Sequence, residues 1–151
     1  MTETLFIDGA WRAGGGAPFT SLDPARGDTI WTGAAASPDD VRAAFSAARR
    51  AFSDWALSGF DARKQVVERY GEILKAKADE IGALIAAETG KPLWEAKGEA
   101  GAMAGKIAVS IQAYLERTGR THTQTDFGEQ VLDHKPLGVM FVLGPYNFPG
   151  H

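Results

Sequence analysis

The sequence predicts an α/β chain in which short strands flank a run of helices and a sheet is begun but left unfinished. Three observations predict it. Residues 1–36 carry β-type runs broken by turns, residues 37–117 carry apolar positions three and four apart, and residues 137–143 form an apolar run that does not alternate. An apolar run without alternation suits a strand buried on both faces, and such a strand needs strand neighbours and two covering layers. Nothing upstream supplies matching parallel strands, so the chain is expected to be cut within a larger domain.

Each element has a local reason. Leu5-Phe6-Ile7, then Asp8-Gly9, then Trp11 reads as a hairpin with an Asp-Gly turn. Gly14-Gly15-Gly16 is a loop; with no G-x-G-x-x-G and no helix directly after it, it is not a phosphate cradle. Residues 19–22 and 29–33 are expected strands around the turn Asp23-Pro24-Ala25-Arg26-Gly27. Ser37-Pro38-Asp39-Asp40 opens a helix with a cap, a proline in its first turn and two acids. Val41, Ala44, Phe45, Ala48, Phe52 and Trp55 form its apolar stripe, and Ser58-Gly59 ends it. Asp61 is the expected cap of the next helix, which buries Val66, Tyr70, Ile73 and Leu74; Ile81, Leu84 and Ile85 continue it or form a separate helix. Gly90-Lys91-Pro92 is a stop signal. A last helix runs from about 92 to 117, with Met103, Ile107, Ser110, Ile111 and Tyr114 on one face. Residues 121–125 and 130–135 flank Asp126-Phe127-Gly128 as a further hairpin.

Composition excludes several classes. With 151 residues the chain can bury a real core, and 44% hydrophobic against 23% charged residues is the balance of a globular chain. A net charge of -3 gives no basic surface for nucleic acid or anionic lipid. The start lacks a basic leader segment, and the run at 137–143 is too short to span a bilayer. A cytoplasmic location is expected. There is no cysteine, which removes both a disulfide framework and the strongest nucleophile.

Candidate chemistry is sparse. His122, His134 and His151 lack metal-ligand spacing, so no metal site is expected. Glu95 and Glu99 stand four apart and read as a solvated helix face. Thr89-Gly90-Lys91 ends like a phosphate loop, but Ile85 replaces the first glycine and Pro92 the required hydroxyl residue. The segment Gly144-Pro145-Tyr146-Asn147-Phe148-Pro149-Gly150 differs. It sets an amide after the end of the expected buried strand, where ligands sit in open α/β sheets. An asparagine there can donate to an oxygen that gains negative charge; the plainer reading is an Asn bracing a proline-rich turn.

Together these motifs resemble the aldehyde dehydrogenase superfamily over nearly the whole chain. Glu88-Thr89-Gly90-Lys91-Pro92 is similar to its E-T-G-K helix terminus. Pro136-Leu137-Gly138-Val139 and Pro145-Tyr146-Asn147-Phe148-Pro149 resemble its strand and catalytic-site turn. Ile7-Asp8-Gly9-x-Trp11 and Asp23-Pro24-x-x-Gly27 resemble its opening signature. Trp94-Glu95-Ala96, Ala102-Met103, Lys106-Ile107-Ala108 and Arg117-Thr118-Gly119 narrow the resemblance to the succinylglutamate-semialdehyde dehydrogenases of arginine catabolism.

The resemblance implies an N-terminal fragment of the aldehyde dehydrogenase fold. Residues 1–118 would belong to the NAD-binding domain and 119–136 to an oligomerisation-arm hairpin. Residues 137–151 would hold the first strand of the Rossmann-like cofactor sheet and the catalytic-site turn, with the catalytic domain absent. It implies NAD as cofactor, an aldehyde substrate and a homo-oligomeric full-length protein. It assigns Asn147 to the oxyanion, Leu143, Gly144, Pro145 and Tyr146 to the nicotinamide side, and Phe148 to the aldehyde tunnel. Lys106, beside the apolar stripe of its helix, is a candidate anchor for substrate carboxylates, against the plainer reading of a snorkelling edge lysine. The family's cysteine nucleophile and glutamate general base are absent, so the chain alone is expected to be inactive. The rival expectation is a non-catalytic helical binding or interaction module.

Overall fold

The computed structural model describes residues 3–151; the reading of residues 1–2 as lacking a basic leader lies outside them. Among the described residues, four helices stand between antiparallel hairpins, two before and one after. Strands β1 (Leu5–Ile7) and β2 (Ala10–Arg12) meet at Asp8-Gly9, whose φ values of 55° and 80° are the left-handed pair a two-residue hairpin turn requires. Strands β3 (Pro18–Leu22) and β4 (Thr29–Ala34) pair next, with Phe19 edge-on to Trp31 at 4.8 Å. Their connection is held by Asp23, whose side chain accepts the backbone N–H groups of Ala25 and Arg26.

Helix α1 (Pro38–Leu57) opens with a capping box. Ser37 Oγ accepts the Asp40 N–H at 3.2 Å, and the Asp40 carboxylate accepts the Ser37 N–H at 2.8 Å. Asp40 also accepts the Gly15 N–H at 2.8 Å, fixing the glycine loop to the helix. The backbone donors of Gly15 and Ser37 hold its carboxyl below the ordinary value. Ser37→Ala should cost about 1 kcal/mol, read as a lower urea midpoint with an unchanged slope.

The stripe on α1 has no core to cover among the described residues: Phe45 is 60% exposed and no α1 residue is buried. Val41 and Phe45 instead line an open apolar cavity of about 470 Å³ with Ile7, Val139 and Phe141. Helix α2 (Phe60–Ala76) starts one residue before the expected cap. Phe60 stacks on Tyr114 at 4.4 Å with planes 5° apart, which draws it into the helix and leaves Asp61 in the first turn. Gly59, not Asp61, is the N-cap. Of the expected buried face of α2, only Leu74 is buried.

Among the described helices, α3 (Ala78–Thr89) packs most extensively against α4 (Leu93–Arg117). Ala96 and Ala100 are 0% exposed, and Ile85 is buried as well. Small side chains let the two helices approach closely: a Cβ on Gly82 would stand 3.1 Å from Lys97 Cα. Helix α2 also packs on α4, with Gly71 against Ile107. None of the helices is long and apolar enough to cross a membrane among the described residues.

Strands β5 (Arg120–Thr125) and β6 (Gly128–Asp133) form an extended ribbon around Asp126-Phe127. Almost all of it is exposed. The expected strand at 137–143 is not realised. Leu137 is 104% and Phe141 83% exposed, and no strand pairing is made there among the described residues. The physical reason is that a strand exists by its ladder: without a neighbour's N–H and C=O groups, an apolar run stays extended but unpaired.

Candidate active-site turn

Residues 145–148 form a reverse turn closed by the Phe148 N–H donating to the Pro145 carbonyl at 3.3 Å. Tyr146 and Asn147 occupy its corner. Leu143, Gly144, Pro145, Tyr146 and Asn147 are all exposed, and Phe148 is 43% exposed. The structure therefore gathers Leu143, Gly144, Pro145, Tyr146, Asn147 and Phe148 on one exposed segment. Lys106 is not on that segment. It is exposed on α4, one helical turn beyond Met103 and two beyond Glu99.

What anchors the turn is the segment Glu88 to Pro92, each residue of which has a separate task. Glu88 accepts the Trp31 indole N–H at 2.7 Å and the Ser21 hydroxyl at 2.9 Å, tying the β3–β4 hairpin to the end of α3. Thr89 donates its hydroxyl to the Ile85 carbonyl. Gly90 ends α3 at a φ of 71°, a left-handed cap that favours glycine. Pro92 opens α4. Lys91, held between the two helices, points its ammonium at the turn.

There Lys91 Nζ makes an ion pair of 2.7 Å with Glu99, donates to the Asn147 carbonyl at 2.9 Å and lies 4.3 Å from the centre of the Phe148 ring. The second oxygen of Glu99 accepts the N–H groups of Gly150 at 2.8 Å and His151 at 3.3 Å. The side chains of Lys91 and Glu99 are 11% and 1% exposed. Burial raises the Glu99 carboxyl, but the hydrogen bond from Lys91, the Gly150 N–H and the nearby positive charge outweigh it. The net value is lowered, so Glu99 is an anion at neutral pH. No buried side-chain polar atom among the described residues lacks a partner.

Glu99 corrects the reading of Glu95 and Glu99 as a solvated face. It is buried, because the turn comes from 51 residues away to cover it. Neither Lys91 nor Glu99 was marked as a site residue from sequence. The available signal was Lys91 standing directly after a helix-ending glycine with an acid eight residues on, a spacing that does not by itself say the two meet. No cluster of metal-ligating side chains occurs among the described residues.

The family model for the aldehyde dehydrogenase family matches residues 11–151. The N-succinylglutamate 5-semialdehyde dehydrogenase of Burkholderia mallei (strain SAVP1) is 52% identical over the whole chain, as is that of Burkholderia pseudomallei (strain K96243). The chain spans 31% of the length of these relatives. Among solved structures, an NADP-dependent glyceraldehyde-3-phosphate dehydrogenase from Bacillus halodurans C-125 superposes with a TM-score of 0.88 at 25% identity. The match covers 95% of this chain and 32% of that one. A succinate-semialdehyde dehydrogenase from Burkholderia pseudomallei gives 0.73 at 28% identity, covering 80% and 25%. The helices and hairpins thus correspond to an N-terminal part of that fold, as the sequence predicts. This chain belongs to the aldehyde dehydrogenase family.

Proposed function

We propose that the chain is the N-terminal part of an NAD-dependent enzyme that oxidises N-succinylglutamate 5-semialdehyde to N-succinylglutamate in arginine catabolism. The observation that carries this reading is 52% identity along all 151 residues to relatives bearing that activity in their names. The full-length protein is read as a cytoplasmic homo-oligomer. Residues 1–118 serve the cofactor domain, 119–136 the oligomerisation arm, and 137–151 the first cofactor-sheet strand and the catalytic turn. The exposed β5–β6 ribbon suits an arm, which needs a partner to cover it.

Asn147 has the chemistry for an oxyanion donor: its main-chain carbonyl is taken by Lys91, while its side-chain amide stands on an exposed turn. Leu143, Gly144, Pro145 and Tyr146 would line the nicotinamide side. The exposed apolar side chain of Leu143 and the ring of Tyr146 fit a flat, weakly polar ring, and Gly144 leaves room for its approach. When bound, NAD supplies the hydride acceptor. Phe148 would form part of the aldehyde tunnel wall. The chain itself holds no thiol, so residues 1–151 alone should turn over no aldehyde.

The test is a full-length enzyme in which residues 1–151 are joined to the remainder of the Burkholderia pseudomallei relative. NADH production should be strongest with N-succinylglutamate 5-semialdehyde. Equal or better turnover of small neutral aldehydes would overturn the substrate assignment. Within this reading Lys106 is a carboxylate anchor, because it follows Met103, whose sulfur reaches the turn at Gly150, along the same helix. Lys106→Met should raise KM for the acidic aldehyde by about tenfold, the size of one charge-assisted hydrogen bond. A neutral aldehyde should be unaffected; equal changes for both would remove Lys106 from the site.

A further inference from the structure

We infer that Lys91 and Glu99 are positioning residues that set the backbone of the turn carrying Asn147. The catalytic consequence rests on the function proposed above; the structural claim stands on the contacts alone.

The turn's own backbone hydrogen bond is the one from Phe148 to Pro145. Such a segment has little of its own to hold one conformation. The ion pair grips it on both sides of Phe148. The ammonium of Lys91 takes the carbonyl of Asn147 and lies beside the Phe148 ring, while Glu99 takes the N–H groups of Gly150 and His151. A donor thus meets the turn's carbonyl and an anion meets its amides, so each charge is matched to the backbone group it faces.

The grip is also rigidly mounted. Lys91 lies in the short link between the helix-ending Gly90 and Pro92, and Glu99 lies in the second turn of α4 next to the fully buried Ala100. Lys91 sits in the link that joins α3 to α4 and Glu99 on α4 itself, and these two helices approach closely at Gly82, so the distance between the charges is not free to drift. Because Asn147 Cα is bonded to the carbonyl carbon that Lys91 holds, releasing the carbonyl releases the direction of the side-chain amide. A misplacement of about 1 Å at a catalytic group costs on the order of 100-fold in rate.

The experiment uses the full-length enzyme described above and two variants. Lys91→Met removes the ammonium. The double variant Lys91→Met with Glu99→Leu replaces the buried pair by apolar groups of similar size, which folded proteins tolerate better than one stranded charge. Amide hydrogen exchange of a peptide covering 145–151 is followed beside one from the far half of α4. Exchange of the turn peptide should quicken by about tenfold in both variants, as for loss of one or two net hydrogen bonds, with α4 unchanged. On the same samples kcat should fall by about 10- to 100-fold. Unaltered exchange at 145–151 in the folded double variant would overturn the positioning role. So would faster exchange accompanied by an unaltered kcat, provided Asn147→Ala does lower it. If Asn147→Ala leaves kcat intact, the assignment of Asn147 fails instead, and the exchange result still decides whether the pair holds the turn.

Discussion

Asn147→Ala in the full-length enzyme should lower kcat by about 100- to 1000-fold, the loss found when one oxyanion donor is removed. The effect belongs in kcat because the amide strengthens its bond only as the aldehyde oxygen gains charge; interactions made equally in the ground state would move KM instead. The fold should be untouched. The bond that ties the residue to the scaffold uses its main-chain carbonyl, which alanine keeps. Stopped-flow and steady-state measurements of NADH formation would read the change, with the thermal midpoint as control. A kcat within a few-fold of the parent, about 1 kcal/mol by the usual conversion, would assign Asn147 to bracing the turn and remove it from the chemistry.

Gly82→Val should weaken the helical scaffold by about 1–3 kcal/mol, as overpacking does. Gly82 is buried where α3 meets α4, and even a Cβ there would lie 3.0 Å from Lys97 Cγ and 3.3 Å from the Lys97 nitrogen. Two of the nearest atoms are backbone, so no rotamer change relieves the contact; the helices must move apart. Alanine at this site combines a tight contact with a gain of about 1 kcal/mol in helix propensity and should be milder. The predicted readout is a lowered thermal midpoint for valine, with alanine between it and the parent. Because Glu99 lies on α4 and Lys91 in the link between α3 and α4, Gly82→Val should also loosen the turn at 145–151. A valine variant as stable as the parent would mean that α3 and α4 do not approach as closely as their small residues suggest.

The punctuation of the chain was legible in the sequence because each signal acts within a few residues. Ser37, Pro38 and Asp40 specify a helix start through groups three apart, and Gly90 with Pro92 separates α3 from α4. Asp8-Gly9 specifies its hairpin by two left-handed residues. Even the segment from Glu88 to Pro92 was visible as a motif. Its purpose was not, since the partners of Glu88 lie 57 and 67 residues away and those of Lys91 up to 56.

What the sequence alone determined about this protein is its family, its run of hairpins and helices, and the turn that bears Asn147. Only the tertiary structure decided which side of each element meets a partner. Glu99 is buried because a distant turn covers it, and the α1 stripe stays open because nothing among the described residues covers it. Phe60 joins α2 because Tyr114 lies beneath it. Residues 137–143 have every apolar side chain a buried strand needs, yet make no strand where no ladder partner meets them. Caps and turns are satisfied by neighbours along the chain, whereas burial and strand pairing are satisfied only by groups the fold brings in from far away.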